Sequence, residues 1–389
     1  MSTEPDISIE SQDEDARVST LELFFDLVFV FTITQLTATL AHHPTWEGLL
    51  QVVLMLCVIW WMYAAFAWLT NAIPPESVAR RLFLLGGMAC FLVISLAIPT
   101  TFSGDGVLFG AAYLAVVCFH AGLFVGSPAW NTLGDVLSFA RFNVAVAVLL
   151  IFAGILGNDG WAYALWGVAL VLIWVTPRLL RVESGDPIRS ASHFVERHGL
   201  VVIVALGESV VAVGIGASGQ PLTLEMLAVA VLGLALSAGL WWAYFGGDPD
   251  EPAEALGAFP VERKAQVGVN AFYYSHTPIL LGILAVAAAL ERAIGHAFDP
   301  LDFARALALG GGAAAFFAGD ALFRRSLGIG HEAWLLLAGA LALGTVPLGT
   351  EGSALLQLGA LTAVVGACLI GHAASTAPSL TERPTTASK

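Results

Sequence analysis

The chain has 389 residues, of which 58% are hydrophobic and 12% charged, and its formal charge is −14. With its 40 glycines the apolar class reaches roughly 68%, against about 45–50% in ordinary globular chains, and the mean hydropathy is +0.81. A water-soluble core of this size cannot hide so much apolar surface, which excludes soluble multidomain, disordered and nucleic-acid-binding proteins.

What remains is an all-α polytopic membrane helix bundle. Long apolar runs that make their backbone hydrogen bonds internally suit the bilayer interior, whereas a barrel would show short alternating segments. Six acids, Glu4, Asp6, Glu10, Asp13, Glu14 and Asp15, crowd the polar stretch 1–17, which is expected to be a disordered cytoplasmic tail. It lacks the basic, apolar, small-residue order of a signal peptide, so insertion is expected to begin at the first spanning helix. Apolar runs then predict about twelve helices, over 21–40, 48–71, 80–99, 107–125, 139–157, 161–180, 200–218, 223–247, 269–291, 303–323, 332–349 and 353–373. If these begin inside, fourteen of the 16 basic residues fall on the cytoplasmic side, and only Arg292 and Arg305 lie outside. Both termini are therefore expected in the cytoplasm, with 376–389 a second tail. Cys57, Cys90, Cys118 and Cys368 all lie within apolar runs and read as small hydrophobes without a disulfide framework.

A local repeat divides the chain into six-helix halves over 18–182 and 183–375. Trp60, Trp61, Met62 and Tyr63 match Trp241, Trp242, Ala243 and Tyr244 at an offset of 181 residues. Val78 to Arg81 match Val261 to Lys264 at an offset of 183. A parallel 6+6 arrangement is expected, with any site at the interface between halves; the alternative is two unrelated interfacial aromatic belts.

Ionisable residues inside spans are costly and so become functional candidates. In the first helix Glu22 and Asp26 lie one turn apart on one face. Glu22 is a candidate cap over Ser19 or Thr20, and Asp26 with Thr34 or Gln35 is a candidate polar track. His193, Glu196 and Arg197 precede the seventh span; lacking HExxH spacing, they read as a cytoplasmic arginine–carboxylate clamp and not as a metal site. Glu208 sits mid-span between Gly207, which would permit close helix approach, and Ser209, a candidate donor to its carboxylate. It reads as a group that binds a cation or carries a proton, or alternatively as a neutral Glu tying two helices. In the ninth span Pro278 is expected to free the carbonyl near Tyr274, making His276 a candidate proton relay. His120 and Asp320 hold equivalent late positions in the fourth and tenth spans, but Arg324 four residues after Asp320 favours a local pair.

These residues resemble the bacterial low temperature requirement protein A family. The resemblance rests on Ser19 to Gln35 (STLELFFDLVFVFTITQ), His193 to Gly214 (HFVERHGLVVIVALGESVVAVG) and the Tyr274, Ser275, His276 stretch, and it spans about 17–375. It implies a multispanning membrane protein and marks Glu22, Phe25, Asp26, Gln35, His193, Glu196, Arg197, Gly207, Glu208 and Ser209. The expected activity is that of a secondary transporter or an ion or proton permeation protein centred on Glu208. The alternatives are an intramembrane enzyme acting on a lipid or polyprenyl substrate, with Glu208 or His276 as base and Arg197 holding a phosphate, and a membrane sensor or assembly factor. Expected partners are the bilayer and a small solute, ion or lipid. With no Rossmann, P-loop or haem-attachment motif, no cofactor is expected.

Overall fold

The computed structural model describes residues 18–124, 133–179 and 188–376. The expected tail 1–17 and all of the expected tail 376–389 but Thr376, which ends the last helix, lie outside them, as do 125–132 and 180–187. Among the described residues there is no strand. The helices run α1 (Thr20–His42), α2 (Trp46–Ala72), α3 (Val78–Ala97), α4 (Gly106–Phe124), α5 (Leu133–Leu156), α6 (Gly160–Leu179) and α7 (Ala191–Ala217). They continue as α8 (Leu224–Phe245), α9 (Glu251–Gly257), α10 (Val261–Gly268), α11 (His276–Ala293), α12 (Phe303–Leu327), α13 (Glu332–Gly344) and α14 (Ala354–Thr376).

Among the described residues eleven helical segments are long and apolar enough to cross a membrane, and each corresponds to an expected span. The twelfth expected span is α5, whose described apolar part, Ala140–Leu156, falls among the shorter helices. Two boundaries differ for physical reasons. Helix α7 starts at Ala191, well before residue 200, because the charged turn that looked like a loop is paired inside the bundle. The ninth span lengthens to 33 residues, Val261–Ala293, because α10 runs through a π-helical turn, Val269–Tyr274, into α11.

Side chains that accept from first-turn backbone N–H groups set many of the helix starts: Ser19, Thr45, Ser77, Ser190, Thr223 and Asp302. Such caps satisfy donors that have no partner within the helix. At the end of α12, Gly328 adopts φ 75°, the left-handed cap that side chains disfavour.

Helices α2 and α11 form the centre, with 83% and 78% of their apolar windows buried, against 28% for α6. Helices α1 and α7 pack against each other and against both of these. The outward faces carry exposed Leu27, Leu96, Ile155, Val231 and Ile370, the inverse of a soluble protein. Between α11 and α12, a Cβ at Gly282 or Gly312 would collide with the other's carbonyl oxygen, so glycine lets these backbones touch. A second, smaller core of Ile188, Phe194, Leu256, Phe272, Phe323 and Leu327 seals the end where α7 begins. The acidic stretch from Asp248 to Glu251 leads into α9, whose Leu256 is buried in that core.

Candidate functional site

Helix α1 opens with a capping box: Ser19 Oγ accepts from Glu22 N at 3.3 Å, and Glu22 Oε2 accepts from Ser19 N at 3.0 Å. The cap turns Glu22 toward the bundle, and Asp26 follows one turn later on the same face; both are buried. Across from them, α7 is capped by Ser190, which accepts from His193 N at 3.2 Å. Asn71 at the end of α2 holds that start in place, donating to Ser190 O at 2.7 Å and accepting from Arg189 N at 2.9 Å. His193 and Arg197, four residues apart, therefore face α1 together.

Arg197 is fully buried. Its Nη1 lies 2.8 Å from Glu22 Oε1 and its Nη2 2.9 Å from Asp26 Oδ1. Nη1 also donates to Thr70 Oγ1 at 3.3 Å, and the guanidinium lies over the rings of Phe25 and Tyr63. Tyr63 donates its hydroxyl to Asp26, and His193 Nε2 is 3.3 Å from Glu22 Oε2. Two carboxylates thus share one rigid cation, with the His193 imidazole beside them.

Beside this cluster lies an uncharged cage. His276 Nδ1 donates to Ala271 O at 2.8 Å, which leaves Nε2 to accept from Tyr244 at 2.9 Å. Trp60 stacks on the His276 ring and meets His198 edge-on. Around the π-helical turn the carbonyls of Asn270, Ala271 and Tyr273 accept from the side chains of Ser275, His276, Thr277 and Trp60, and Asn270 O accepts from Ser275 N as well. The carbonyls served by side chains are thus one to four residues before the Tyr274 position expected from Pro278.

Glu208 lies eleven residues beyond Arg197 along α7, about 16 Å at 1.5 Å per residue. It is buried, and Thr34 of α1 donates to its Oε2 at 2.8 Å. Among the described residues no cation forms an ion pair with it. The turns between the two polar levels are dry: Phe29 and Ile33 on α1, and Val201 and Ala205 on α7, are buried.

The structure therefore brings Glu22, Asp26, His193 and Arg197 together and sets Glu208 apart from them with Thr34. Glu196 of the expected clamp is exposed, because a residue adjacent to Arg197 on a helix points about 100° away. For the same reason Ser209 does not serve Glu208; its Oγ is buried without a partner. Gly207 faces open space and not a neighbouring helix. The track expected from Asp26 to Thr34 is interrupted, since Thr34 turns to Glu208, and Gln35 is half-buried on the same helix. Tyr274 reaches Trp174 O of α6, away from His276. His120 approaches Ala65 O of α2 at 3.2 Å, whereas Asp320 pairs with Arg324 at 3.4 Å, the local pairing expected. Among the described residues no three His, Cys, Asp or Glu side chains converge as a metal site. An apolar recess of about 210 Å³ near Pro44 and Ala285 contains none of the predicted site residues.

Residue-type reasoning passed over Tyr63, Thr70, Asn71 and Trp60. The first and last were visible only as repeat markers, and nothing in the local sequence of Thr70 or Asn71 points to the cluster.

No solved structure matches the chain. An uncharacterized protein of Rhizobium meliloti (strain 1021) is 28% identical over 330 residues, covering 80% of this chain and 78% of its own. The family model for the bacterial low temperature requirement A protein matches residues 17–370, which include α1, α7, the clamp and Glu208. The chain belongs to the bacterial low temperature requirement A family.

Proposed function

We propose that this protein moves a proton or a small cation across the bacterial cytoplasmic membrane in the manner of a secondary transporter, with Glu208 taking up the cargo. The observation that supports this most directly is the contrast in partners. A carboxylate near the bilayer centre costs on the order of 3 kcal/mol on insertion scales, and Glu208 has a single hydroxyl to offset that cost. Such a group is suited to exchanging its charge state. In this reading both termini are cytoplasmic, which places the Arg197 cluster toward the cytoplasm and His42 toward the outside. The cluster joins α1 to α7 and, with the dry turns beyond it, closes the cytoplasmic route while Glu208 loads.

Lipid chemistry finds less support. Both ring nitrogens of His276 are engaged, and Arg197 is enclosed by two carboxylates and closed to a phosphate.

The test is gradient-driven flux in proteoliposomes carrying an internal pH indicator, with cations varied. Wild type is expected to move charge and Glu208→Gln to be inactive at equal thermal stability. Equal flux in the two proteins would sink the proposal.

A further inference from the structure

We infer that the cargo held at Glu208 is a proton and not a metal cation, and that it arrives from the His42 end by way of Glu291. This inference rests on the reading of Glu208 as the cargo site. The first half follows from the supply of oxygens. A cation stripped of water needs a shell of them, six or more for calcium or a ring of carbonyls for potassium, and transporters commonly obtain such carbonyls from broken helices. Around Glu208 both contributing helices, α1 and α7, are unbroken, so their carbonyls are committed to the helical ladder. The ligand set is the carboxylate and Thr34 Oγ1. Among the described residues the helix break near the polar core, at Val269–Tyr274, lies at the other level, and its carbonyls are already taken by side chains and by Ser275 N. One lone pair suffices for a proton, and the neutral acid it produces belongs in an apolar setting.

The second half follows from placement. Helices α1, α7 and α11 pack pairwise, and Gly216 of α7 sits against the backbone carbonyl of Glu291 two turns beyond Glu208. Helical side chains lean toward their N-terminus, which directs Glu291 back along α11 toward Glu208. Exposure rises stepwise along this line, from buried Glu208 to half-buried Glu291 to exposed His42. Of the other ionisable groups on elements packed against α7, Arg292 follows Glu291 on α11 and is exposed. Glu22, Asp26, Tyr63, Tyr244 and His276 are at the opposite level, Glu251 and Glu254 are on α9 beyond it, and Glu225 starts α8. Glu47, at the start of α2, is bonded to Asn158 and Tyr163.

Infrared difference spectroscopy of the full chain in lipid, stepped in pH, tests the proposal. Wild type is expected to show a protonated-carboxyl band that titrates, is absent from Glu208→Gln, and is indifferent to exchanging sodium, potassium or magnesium. Loss of the band on adding one of these cations at fixed pH would overturn the proton assignment, as would the absence of any Glu208-dependent band. A titrating band without flux would keep the proton assignment and remove the transport reading. For the route, Glu291→Gln is expected to slow proton uptake from the His42 end by about 10²-fold, the usual contribution of a positioned proton carrier. An unchanged uptake rate in that variant would overturn the route.

Discussion

Helices α1 and α7 meet at two buried carboxylate levels, and these are built differently. At the capped end, Glu22 and Asp26 share a guanidinium, a phenol, an imidazole and two hydroxyls drawn from α1, α2 and α7. Further along, Glu208 has Thr34 alone. The same residue types therefore serve two ends: a densely paired network resists a change of charge because each member would strand another, whereas a sparsely bonded acid accepts one at small cost to its neighbours.

Removing one member of the densely paired network should have the largest effect. Arg197→Met leaves two carboxylates buried without their cation, and thermal unfolding in detergent should report a loss of about 3–5 kcal/mol. Adding Glu22→Gln and Asp26→Asn to that variant should restore most of the loss; a triple variant as unstable as the single would show that packing, not charge, dominates at this level. Tyr63→Phe, which deletes one donor to an ionised acceptor, should cost about 1.5–3 kcal/mol in the same assay. At the sparse level, Thr34→Val should cost about 0.6 kcal/mol, the typical value for an interhelical bond in a membrane, while altering the pH dependence of flux. A loss as large as that of Arg197→Met would erase the distinction between the levels. Glu196→Gln, on the exposed side of the clamp turn, should stay within about 0.5 kcal/mol of wild type.

The two aromatic clusters that suggest a repeat sharpen the point about legibility. Trp60 and Tyr63 are fully buried and take part in the polar core, whereas Trp241 and Trp242 are 41% and 60% exposed. Similar letters in matching order thus occupy a core and a periphery, because α2 is enclosed by other helices and α8 lies at the edge. Sequence reasoning singled out Glu22, Asp26, His193 and Arg197 because charge in an apolar run is conspicuous. It took Glu196 for a partner on the strength of proximity in the chain, where helical geometry turns it outward. Thr70 and Asn71 were not legible, because a hydroxyl and an amide near a helix end are ordinary until a guanidinium or a helix start is brought to them.

The sequence by itself determined the membrane architecture and most helix positions. Length of apolar run, cap residues and turn glycines act within a few residues of where they stand, so they are readable without knowing what packs against them. Only the tertiary structure decided which polar groups meet. Arg197 finds Asp26 across 171 residues of chain, and Glu208 finds Thr34 across 174. Those contacts depend on which faces of α1 and α7 the whole bundle turns toward each other. That orientation is set by packing against α2 and α11, and local patterning does not encode it.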